Sequence, residues 1–275
     1  MKLVMTLLVK DEADLIATQI RYHQAQGVDH FLVLDHDSQD QTAGLLQPFV
    51  SAGLVTLFRH TGRAFYQGAW MTELARRAYL HFQADWVINN DADEFWWSDA
   101  GSLKSVLASV PPAYRLVRVA RHNFVSRRPF QHPFWQHLTY RQTQTRNFMG
   151  KPLSDKVCHR GEADIVVHAG SHSVLPLAAS DIWPVQPLEI FHFPARTYAQ
   201  FVSKVRNSGE GWAALPQQLP GMASGVRFLY AAYLAGRLPE IYAQWAYEDA
   251  ALQAALQSQV LVKDRRFQEF MARLS

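Results

Sequence analysis

In the first hundred residues, segments with the apolar pattern of a strand alternate with segments that have the apolar spacing of a helix. Residues 3–9 form a continuous apolar run, which is typical of a strand covered on both faces. Residues 13–26 then place apolar side chains on one helical side, and Gly27 follows as a C-terminal cap. The alternation continues with strands predicted at 30–34, 54–58 and 85–88 and helices predicted at 41–49 and 66–82. Strict alternation predicts right-handed crossovers and a mostly parallel sheet flanked by helices, which is an α/β fold.

The pattern changes beyond about residue 110. Residues 115–119 and 188–191 are typical of strands, and from Tyr198 onward the spacing is helical, with interruptions near Pro216, Pro220 and Pro239. We therefore expect three segments, with a helical region at the C-terminal end: residues 1–110, 111–196 and 197–275.

Composition limits the classes of function. With 275 residues, of which 48% are hydrophobic, the chain can bury the core of one large domain or two unequal lobes. Its charge of +3 comes from scattered basic residues, and no basic stripe indicates a nucleic-acid partner. Cys158 is the only cysteine, so an internal disulfide is excluded and a reducing compartment is favoured.

The N-terminal apolar run is interpreted as a buried strand rather than a signal peptide, because it has no small-residue cleavage site and continues into charged residues. No apolar stretch approaches the roughly 20 residues of a membrane-spanning helix. We expect a cytoplasmic protein. Peripheral contact with the inner membrane is left open, because basic and apolar residues mix in the C-terminal third.

Three polar clusters follow predicted strands: Lys10 to Glu12, Asp35 to Asp40, and Asp91 to Glu94. Because ligands of parallel sheets bind at the carboxyl ends of the strands, the three clusters are expected to share one site. The Asp35 carboxylate can accept from a ribose hydroxyl or a base N–H. Other residues of the second cluster suit turns and helix caps.

The acidic pair Asp91 and Asp93 is the strongest candidate for metal chemistry. In an extended segment, carboxylates two residues apart point to the same side. Two hard oxygen ligands suit Mg²⁺ or Mn²⁺, and such a metal neutralises a departing diphosphate. A solvated acidic turn is the alternative. The apolar strand before the pair and Phe95-Trp96-Trp97 after it favour function.

Several of these motifs together resemble a known family. They are Val9-Lys10-Asp11-Glu12, Tyr22-His23, Gly27-Val28, the set Asp35, Ser38, Asp40 and Thr42, the set Asp91, Asp93, Glu94 and Phe95, and the later stretch His192-Phe193-Pro194-Ala195-Arg196. The chain resembles the family-2-type glycosyltransferases of GT-A fold, in particular the branch similar to glycosyltransferase family 92. Lys10 and Asp11 stand where that branch has Arg-Asn. The Gln-x-x-Arg-Trp signature of processive membrane synthases is absent.

The resemblance implies a GT-A-type (Rossmann-like) fold and transfer of a sugar from a nucleoside-diphosphate sugar to a glycan or lipid-linked acceptor, in surface-polysaccharide or glycolipid assembly. Residues 1–110 would bind the nucleotide sugar and residues 111–196 would form the acceptor side. The implied ligand is a nucleotide-sugar donor together with Mn²⁺ or Mg²⁺. The implied site comprises Val9, Lys10, Glu12, Asp35 and Asp91 for the donor, and Asp91, Asp93 and His192 for the metal. Asp93 and His172 are the predicted catalytic residues, and His172 comes from the pair His168 and His172, either of which could be an acceptor-side base or a sugar contact.

Other interpretations remain open at this stage. Paired carboxylates at strand ends also serve metal-dependent phosphohydrolases and nucleotidyltransferases, and the chain could be an inactive sugar-binding module. His168 and His172 are weighed as zinc ligands, but no helical His spacing or cysteine cluster supports zinc. Lys156, Arg141 and Arg146 are candidates for contact with the acceptor or the diphosphate, although a surface charge is the favoured interpretation of each. The tryptophans at 70, 96 and 97 are candidates for stacking on a sugar ring. The sequence does not distinguish inversion from retention.

Overall fold

The computed structural model describes residues 1–130, 133–217 and 223–274, so Pro220 and Ser275 of the predicted helical region lie outside the described residues. The strands are β1 (Leu3–Val9), β2 (His30–Asp35), β3 (Val55–Arg59), β4 (Trp86–Asp91), β5 (Glu94–Trp97), β6 (Leu116–Arg127), β7 (Tyr140–Gln142), β8 (Lys156–Arg160), β9 (Val166–Val167), β10 (Val174–Leu175), β11 (Glu189–His192), β12 (Ala246–Tyr247) and β13 (Leu261–Lys263). The α-helices are α1 (Ile16–Ala25), α2 (Thr42–Ser51), α3 (Gln67–Leu80), α4 (Leu103–Ala108), α5 (Phe134–His137), α6 (Tyr198–Ala213), α7 (Ser224–Leu234), α8 (Leu238–Ala243), α9 (Asp249–Gln257) and α10 (Arg266–Leu274). Short 3₁₀ helices span Ala169–Ser171 and Ala179–Asp181.

The chain forms two compact units. The first unit comprises Met1–Gly62, Tyr66–Arg121 and Ser154–Ile190, and the second comprises Arg63–Phe65, His122–Leu153 and Phe191–Ser275. Both units are built from separated stretches of sequence, since β6 and β11 each run from one unit into the other. The proposed functional segments 1–110, 111–196 and 197–275 are a different partition and stay a prediction.

The sheet of the first unit has the strand order β3-β2-β1-β4-β8-β6. Strand β1 is parallel to both β2 and β4, and β2 is parallel to β3, whereas β8 is antiparallel to β4 and β6. The strand order reverses direction between β1 and β4, which is where ligands of such sheets bind. The predicted α/β fold with a mostly parallel sheet is confirmed.

Burial explains why these segments adopt their structures. All seven residues of β1 are buried, as the continuous apolar run predicts. Helix α3 buries Met71, Leu74, Ala75 and Ala78 on one side. Helix α1 begins at Ile16, three residues later than predicted, because residues 13–15 form a turn in which the Glu12 carbonyl accepts from two backbone N–H groups.

The second unit contains the C-terminal half of β6, which pairs with β7 antiparallel and β12 parallel, and β7 pairs with β13. Helices α6 to α10 account for most of its C-terminal part, so the predicted helical region is confirmed apart from the two short strands β12 and β13. Its core is an apolar cluster that includes Phe201, Tyr242, Trp245 and Leu252. Within the ranges that the structure describes, no helix is both long and apolar enough to cross a membrane.

Candidate active site

The acidic residues 91–94, here called the acidic turn, connect two strands of the first unit. Strand β4 ends at Asp91, Ala92 and Asp93 form the turn, and β5 begins at Glu94. The prediction of an extended segment is therefore wrong, because Ala92 and Asp93 form a turn between the two strands. The side chain of Asp91 is 34% exposed, whereas Asp93 and Glu94 are buried.

Buried side chains hold the acidic turn in place. The amide nitrogen of Asn90 donates to the Glu94 carbonyl at 2.9 Å, and the Trp96 indole donates to Asn90 Oδ1 at 2.8 Å. From α1, the side-chain amide of Gln19 also donates to the Glu94 carbonyl, at 3.0 Å. Trp96 is fully buried, so it packs in the core and is not available to stack on a sugar.

Helix α1 also fixes β5 through Tyr22 and His23. The Tyr22 hydroxyl donates to the Trp96 carbonyl at 2.8 Å, and the Trp96 backbone N–H donates to His23 Nε2 at 3.1 Å. Burial lowers the pKa of His23 to about 3, so its ring is neutral and can accept this bond. The Tyr-His motif of the sequence thus has a structural role beneath the acidic turn.

Two cationic side chains contact the acidic turn from neighbouring strands. Lys156, at the start of β8, is fully buried, and its Nζ lies 2.6 Å from Asp91 Oδ2 and 2.6 Å from Glu94 Oε2. Arg121 of β6 lies 3.1 Å from the other Glu94 oxygen. The interpretation of Lys156 as a surface charge is therefore wrong. A lysine this deeply buried is rarely found without such partners.

A loop that carries His172 is connected to the acidic turn through Gln67, the first residue of α3. The Gln67 amide nitrogen lies 3.5 Å from Asp91 Oδ1, and its amide oxygen accepts from the Gly170 backbone at 3.1 Å. His172 Nδ1 lies 2.7 Å from the Asp155 carbonyl oxygen. Because a carbonyl can only accept, Nδ1 carries the proton and Nε2 keeps a lone pair.

The charge state of His172 follows from its surroundings. Desolvation lowers the pKa of His172, opposed by the Asp155 hydrogen bond, and the charges of Arg121 and Lys156 lower it further. The ring is therefore neutral at pH 7. It packs against Gly170, where an added Cβ would lie 2.6 Å from Nε2. Gly170 has φ +79°, which a side chain would strain as well.

The ends of β1 and β2 lie beside the acidic turn in the sheet register. Leu8 is paired with Asp91, and Val9 with Asp35. Asp35 is buried, and its Oδ1 accepts from the Ser38 backbone at 3.1 Å and from the Ser38 hydroxyl at 2.5 Å. The three predicted clusters therefore do meet at one edge of the sheet.

At this edge, polar residues connect the loop that follows β1 to the loop that follows β2 through hydrogen bonds. The Asp11 backbone donates to the Ser38 hydroxyl at 3.0 Å, and the Glu12 backbone donates to the Thr42 hydroxyl at 2.8 Å. The Glu12 side chain is buried. Lys10 is half-buried, and its charge helps burial to lower the pKa of His36.

An aromatic cluster lies next to Asp35. The ring of Trp70 has its centroid 4.8 Å from that of His36 and 4.6 Å from that of His60. Trp70 is half-buried, so part of its surface reaches solvent at this edge. Trp97, in contrast, donates its indole N–H to Asp99 at 2.8 Å.

His192 belongs to the second unit, at the end of β11. Its Nδ1 lies 2.7 Å from Asn123 Oδ1. The amide nitrogen of Asn123 donates to the Arg146 carbonyl at 2.8 Å, which fixes the oxygen toward His192. His192 Nδ1 is therefore the protonated nitrogen, and Nε2 keeps a lone pair of the kind that metal-binding histidines use.

The donor types of these residues fit a hard divalent cation, since carboxylate oxygens suit Mg²⁺ and Mn²⁺ and an imidazole is acceptable to Mn²⁺. Across residues 1–130, 133–217 and 223–274, no three His, Cys, Asp or Glu side chains are grouped so that they could hold a metal ion. The metal role of Asp91, Asp93 and His192 stays a prediction.

Three site residues were not predicted, namely Gln67, Asn90 and Arg121, and Lys156 was a candidate for which a surface position was favoured. Asn90 had a usable signal, because it is a polar residue at the buried end of an apolar strand. The other three come from segments 24 to 65 residues away from Asp91 along the chain, and nothing in their local pattern indicates the contact.

Sequence comparison identifies the class of protein. The sequence model of glycosyltransferase family 92 matches residues 4–174, more than half of the chain. The protein is therefore a glycosyltransferase that uses nucleotide-sugar donors, and the interpretation as a phosphohydrolase is set aside. It belongs to glycosyltransferase family 92, so the predicted family, the GT-A-type fold and the transferase assignment are confirmed.

Comparison with curated protein sequences finds no significant match. Among solved structures, the chain is similar to residues 1–349 of S. aureus TarS, with 11% identity, a TM-score of 0.44, and coverage of 89% of this chain and 82% of that one. It is also similar to the mannosyltransferase PcManGT from Pyrobaculum calidifontis, which was solved with GDP-Man and Mn²⁺, with 14% identity, a TM-score of 0.42, and coverage of 99% and 79%. These likenesses are too distant to bear on the chemistry of this chain.

Proposed function

We propose that this enzyme transfers a sugar from a nucleoside-diphosphate sugar to a glycan or lipid-linked acceptor, with a divalent cation bound at the acidic turn. The observation that carries the proposal is the position of Asp91. It is a half-exposed carboxylate held by buried neighbours at the point where the strand order of a parallel sheet reverses.

In this proposal the nucleoside binds at the ends of β1 and β2. Asp35 accepts a hydrogen bond from the ribose or the base, and Val9, Lys10 and Glu12 line the neighbouring loop. The support is the register, which pairs Val9 with Asp35 in adjacent strands. The half-buried ring of Trp70 gives this edge an apolar surface suited to a base.

The diphosphate would then lie toward the acidic turn, where Asp91 and Asp93 would hold Mn²⁺ or Mg²⁺. When bound, the cation would supply positive charge against the departing nucleoside diphosphate. His192 is proposed as a third ligand, since its protonated Nδ1 leaves Nε2 as the coordinating nitrogen. That imidazole makes manganese the favoured ion.

His172 is proposed as the base that accepts the proton of the acceptor hydroxyl. Its ring is neutral, Nε2 carries the lone pair, and Gln67 connects its loop to Asp91. Asp93 is proposed to act in catalysis by holding the cation whose positive charge would face the leaving nucleoside diphosphate. The proposed acceptor belongs to surface-polysaccharide or glycolipid assembly in the cytoplasm at the inner membrane. Flotation with anionic liposomes tests that membrane contact.

A donor screen tests the proposal. Unfolding temperatures are measured with UDP- and GDP-sugars, in Mn²⁺ and in EDTA, and the best donor is titrated calorimetrically. We expect one donor to bind in Mn²⁺, and Asp35→Asn to weaken it about tenfold, the loss of one hydrogen bond to a charged group.

Asp37→Asn is the matched control, because Asp37 is exposed two residues along the same loop. Equal affinity of the Asp35 and Asp37 variants would remove Asp35 from the site. Failure of every sugar nucleotide to bind would contradict the proposed function itself.

A further inference from the structure

A buried lysine contacts the carboxylate to which the proposed function assigns a metal. The Lys156 ammonium donates a 2.6 Å hydrogen bond to Asp91 Oδ2. It also lies 2.6 Å from Glu94 Oε2, where the angle of approach makes the contact an ion pair without hydrogen-bond geometry. The lysine side chain is 0% exposed and that of Asp91 is 34% exposed, so the ammonium lies behind the carboxylate that reaches solvent.

Charge balance indicates a role beyond stability. Asp91, Asp93 and Glu94 bring three carboxylates to the turn, against the cations Lys156 and Arg121, which leaves one net negative charge when all are ionised. Burying a lysine and a glutamate together often gains little stability over apolar residues of similar size. Arg121 alone already pairs with Glu94, at 3.1 Å. The further contact that Lys156 makes is with Asp91, the residue proposed to face the ligand.

The ammonium and a divalent cation would compete for the same carboxylate. A cation that binds Asp91 alone must lie close to a fixed positive charge in a region of low dielectric, where repulsion is strong. A diphosphate reverses this balance, because it brings negative charge to both the cation and the ammonium. The two ligands are therefore expected to help each other to bind, and such coupling is reciprocal.

We propose that Lys156 makes metal binding at the acidic turn depend on the nucleoside diphosphate: its ammonium opposes a cation that arrives alone, and the negative charge of the diphosphate offsets this repulsion when both are bound. The proposal rests on the proposed function, since it assumes that the turn binds a metal and a diphosphate. It assigns Lys156 as a positioning residue that acts through Asp91 and the diphosphate.

The test is a titration of MnCl₂ into the full chain, followed by calorimetry and by the electron paramagnetic resonance signal of free Mn²⁺, with and without saturating UDP or GDP. We expect Lys156→Gln to bind Mn²⁺ alone about tenfold more tightly than the wild type. Replacing a residue that contacts a metal ligand typically changes metal affinity by about this factor. The factor by which UDP or GDP increases the affinity for Mn²⁺ should be about tenfold smaller in this variant than in the wild type. Lys156→Arg keeps the charge and should resemble the wild type.

Lys104→Gln is the matched control. Lys104 forms an ion pair of the same length with Asp29, at 2.6 Å, but on the surface, and its removal should leave Mn²⁺ affinity unchanged. If Lys156→Gln fails to fold, the double variant Lys156→Gln with Glu94→Gln also removes the excess buried negative charge, and the same tightening of Mn²⁺ binding is expected of it.

The proposal is overturned if removing the Lys156 charge leaves the affinity for Mn²⁺ alone equal to or weaker than that of the wild type, including binding too weak to detect in both. This outcome differs from failure of the proposed function. In that case neither UDP nor GDP would bind to the wild type, and a nucleotide-dependent gain in Mn²⁺ affinity would be absent.

Discussion

Trp96 and Asn90 are joined by a 2.8 Å hydrogen bond from the indole nitrogen to the amide oxygen, and both side chains are fully buried. Asn90 also donates to the Glu94 carbonyl, so this pair connects the two strands that flank the acidic turn. The geometry of the proposed metal site therefore depends on a hydrogen-bond network beneath it, and a defect there should affect both stability and ligand binding.

Replacing Trp96 by Phe should lower the free energy of unfolding by about 2–3 kcal/mol, because Asn90 Oδ1 is left buried without its donor and the smaller ring leaves a void. Urea unfolding measures the change. Trp97→Phe is the control, since Trp97 makes an indole bond of the same length, 2.8 Å, to the exposed residue Asp99. It should cost less than about 0.5 kcal/mol. Equal losses in the two variants would show that the buried bond is not what holds the turn.

Acid should destabilise the protein through two buried histidines. Burial lowers the pKa of His23 to about 3 and that of His159 to about 4, whereas both rings have a pKa near 6.5 when unfolded. Below pH 6.5 the unfolded chain therefore binds more protons than the folded one, and stability falls as the pH decreases toward about 4. Between pH 7 and pH 5 the two histidines together should cost about 4 kcal/mol.

Chemical unfolding at the two pH values measures this loss. His159→Gln should remove about half of the difference, since Gln can keep a buried polar partner for Asn89 without titrating. A pH dependence that is the same in the variant and the wild type would contradict the assignment to His159.

The rate of sugar transfer should depend on the neutral form of His172. Desolvation and the neighbouring charges of Arg121 and Lys156 lower its pKa below 6.5, so kcat/KM should stay level through neutral pH and fall only at more acidic pH. His172→Ala should lower kcat/KM at neutral pH about 100-fold or more and abolish its decrease at acidic pH. His168→Ala, at the other histidine of the pair, should keep the pH profile. A profile unchanged in His172→Ala would exclude it as the base.

The sequence was sufficient for the parallel half of the fold, because β1 to β4 have continuous apolar runs and each ends in polar residues. It also located the acidic turn. It did not predict the turn at Ala92 and Asp93, because a local pattern of alternating acids is compatible with an extended strand as well as a turn. Two side-chain hydrogen bonds to the Glu94 carbonyl hold this turn, one from Asn90 in the same segment and one from Gln19, which is 75 residues away along the chain.

The role of Lys156 was beyond local reasoning for a different reason. A lysine next to an aspartate is typical of a surface, and the burial of Lys156 follows only from the pairing of β8 with β4 and β6. Likewise, Gln67 opens a helix without any unusual pattern, and its contact with Asp91 depends on where α3 begins beside the end of β4.

The most direct test of the account is the release of nucleoside diphosphate from the donor identified by the screen, measured in Mn²⁺ with water or a glycan acceptor. The account predicts release by the wild type that EDTA abolishes and MnCl₂ restores. Asp93→Asn and Asp91→Asn should each lower it by about 100-fold or more, since electrostatic stabilisation of the leaving group would be lost. Asp37→Asn should leave it unchanged. Release that is insensitive to EDTA, or that the Asp91 and Asp93 variants retain in full, would contradict a metal-dependent transferase centred on the acidic turn.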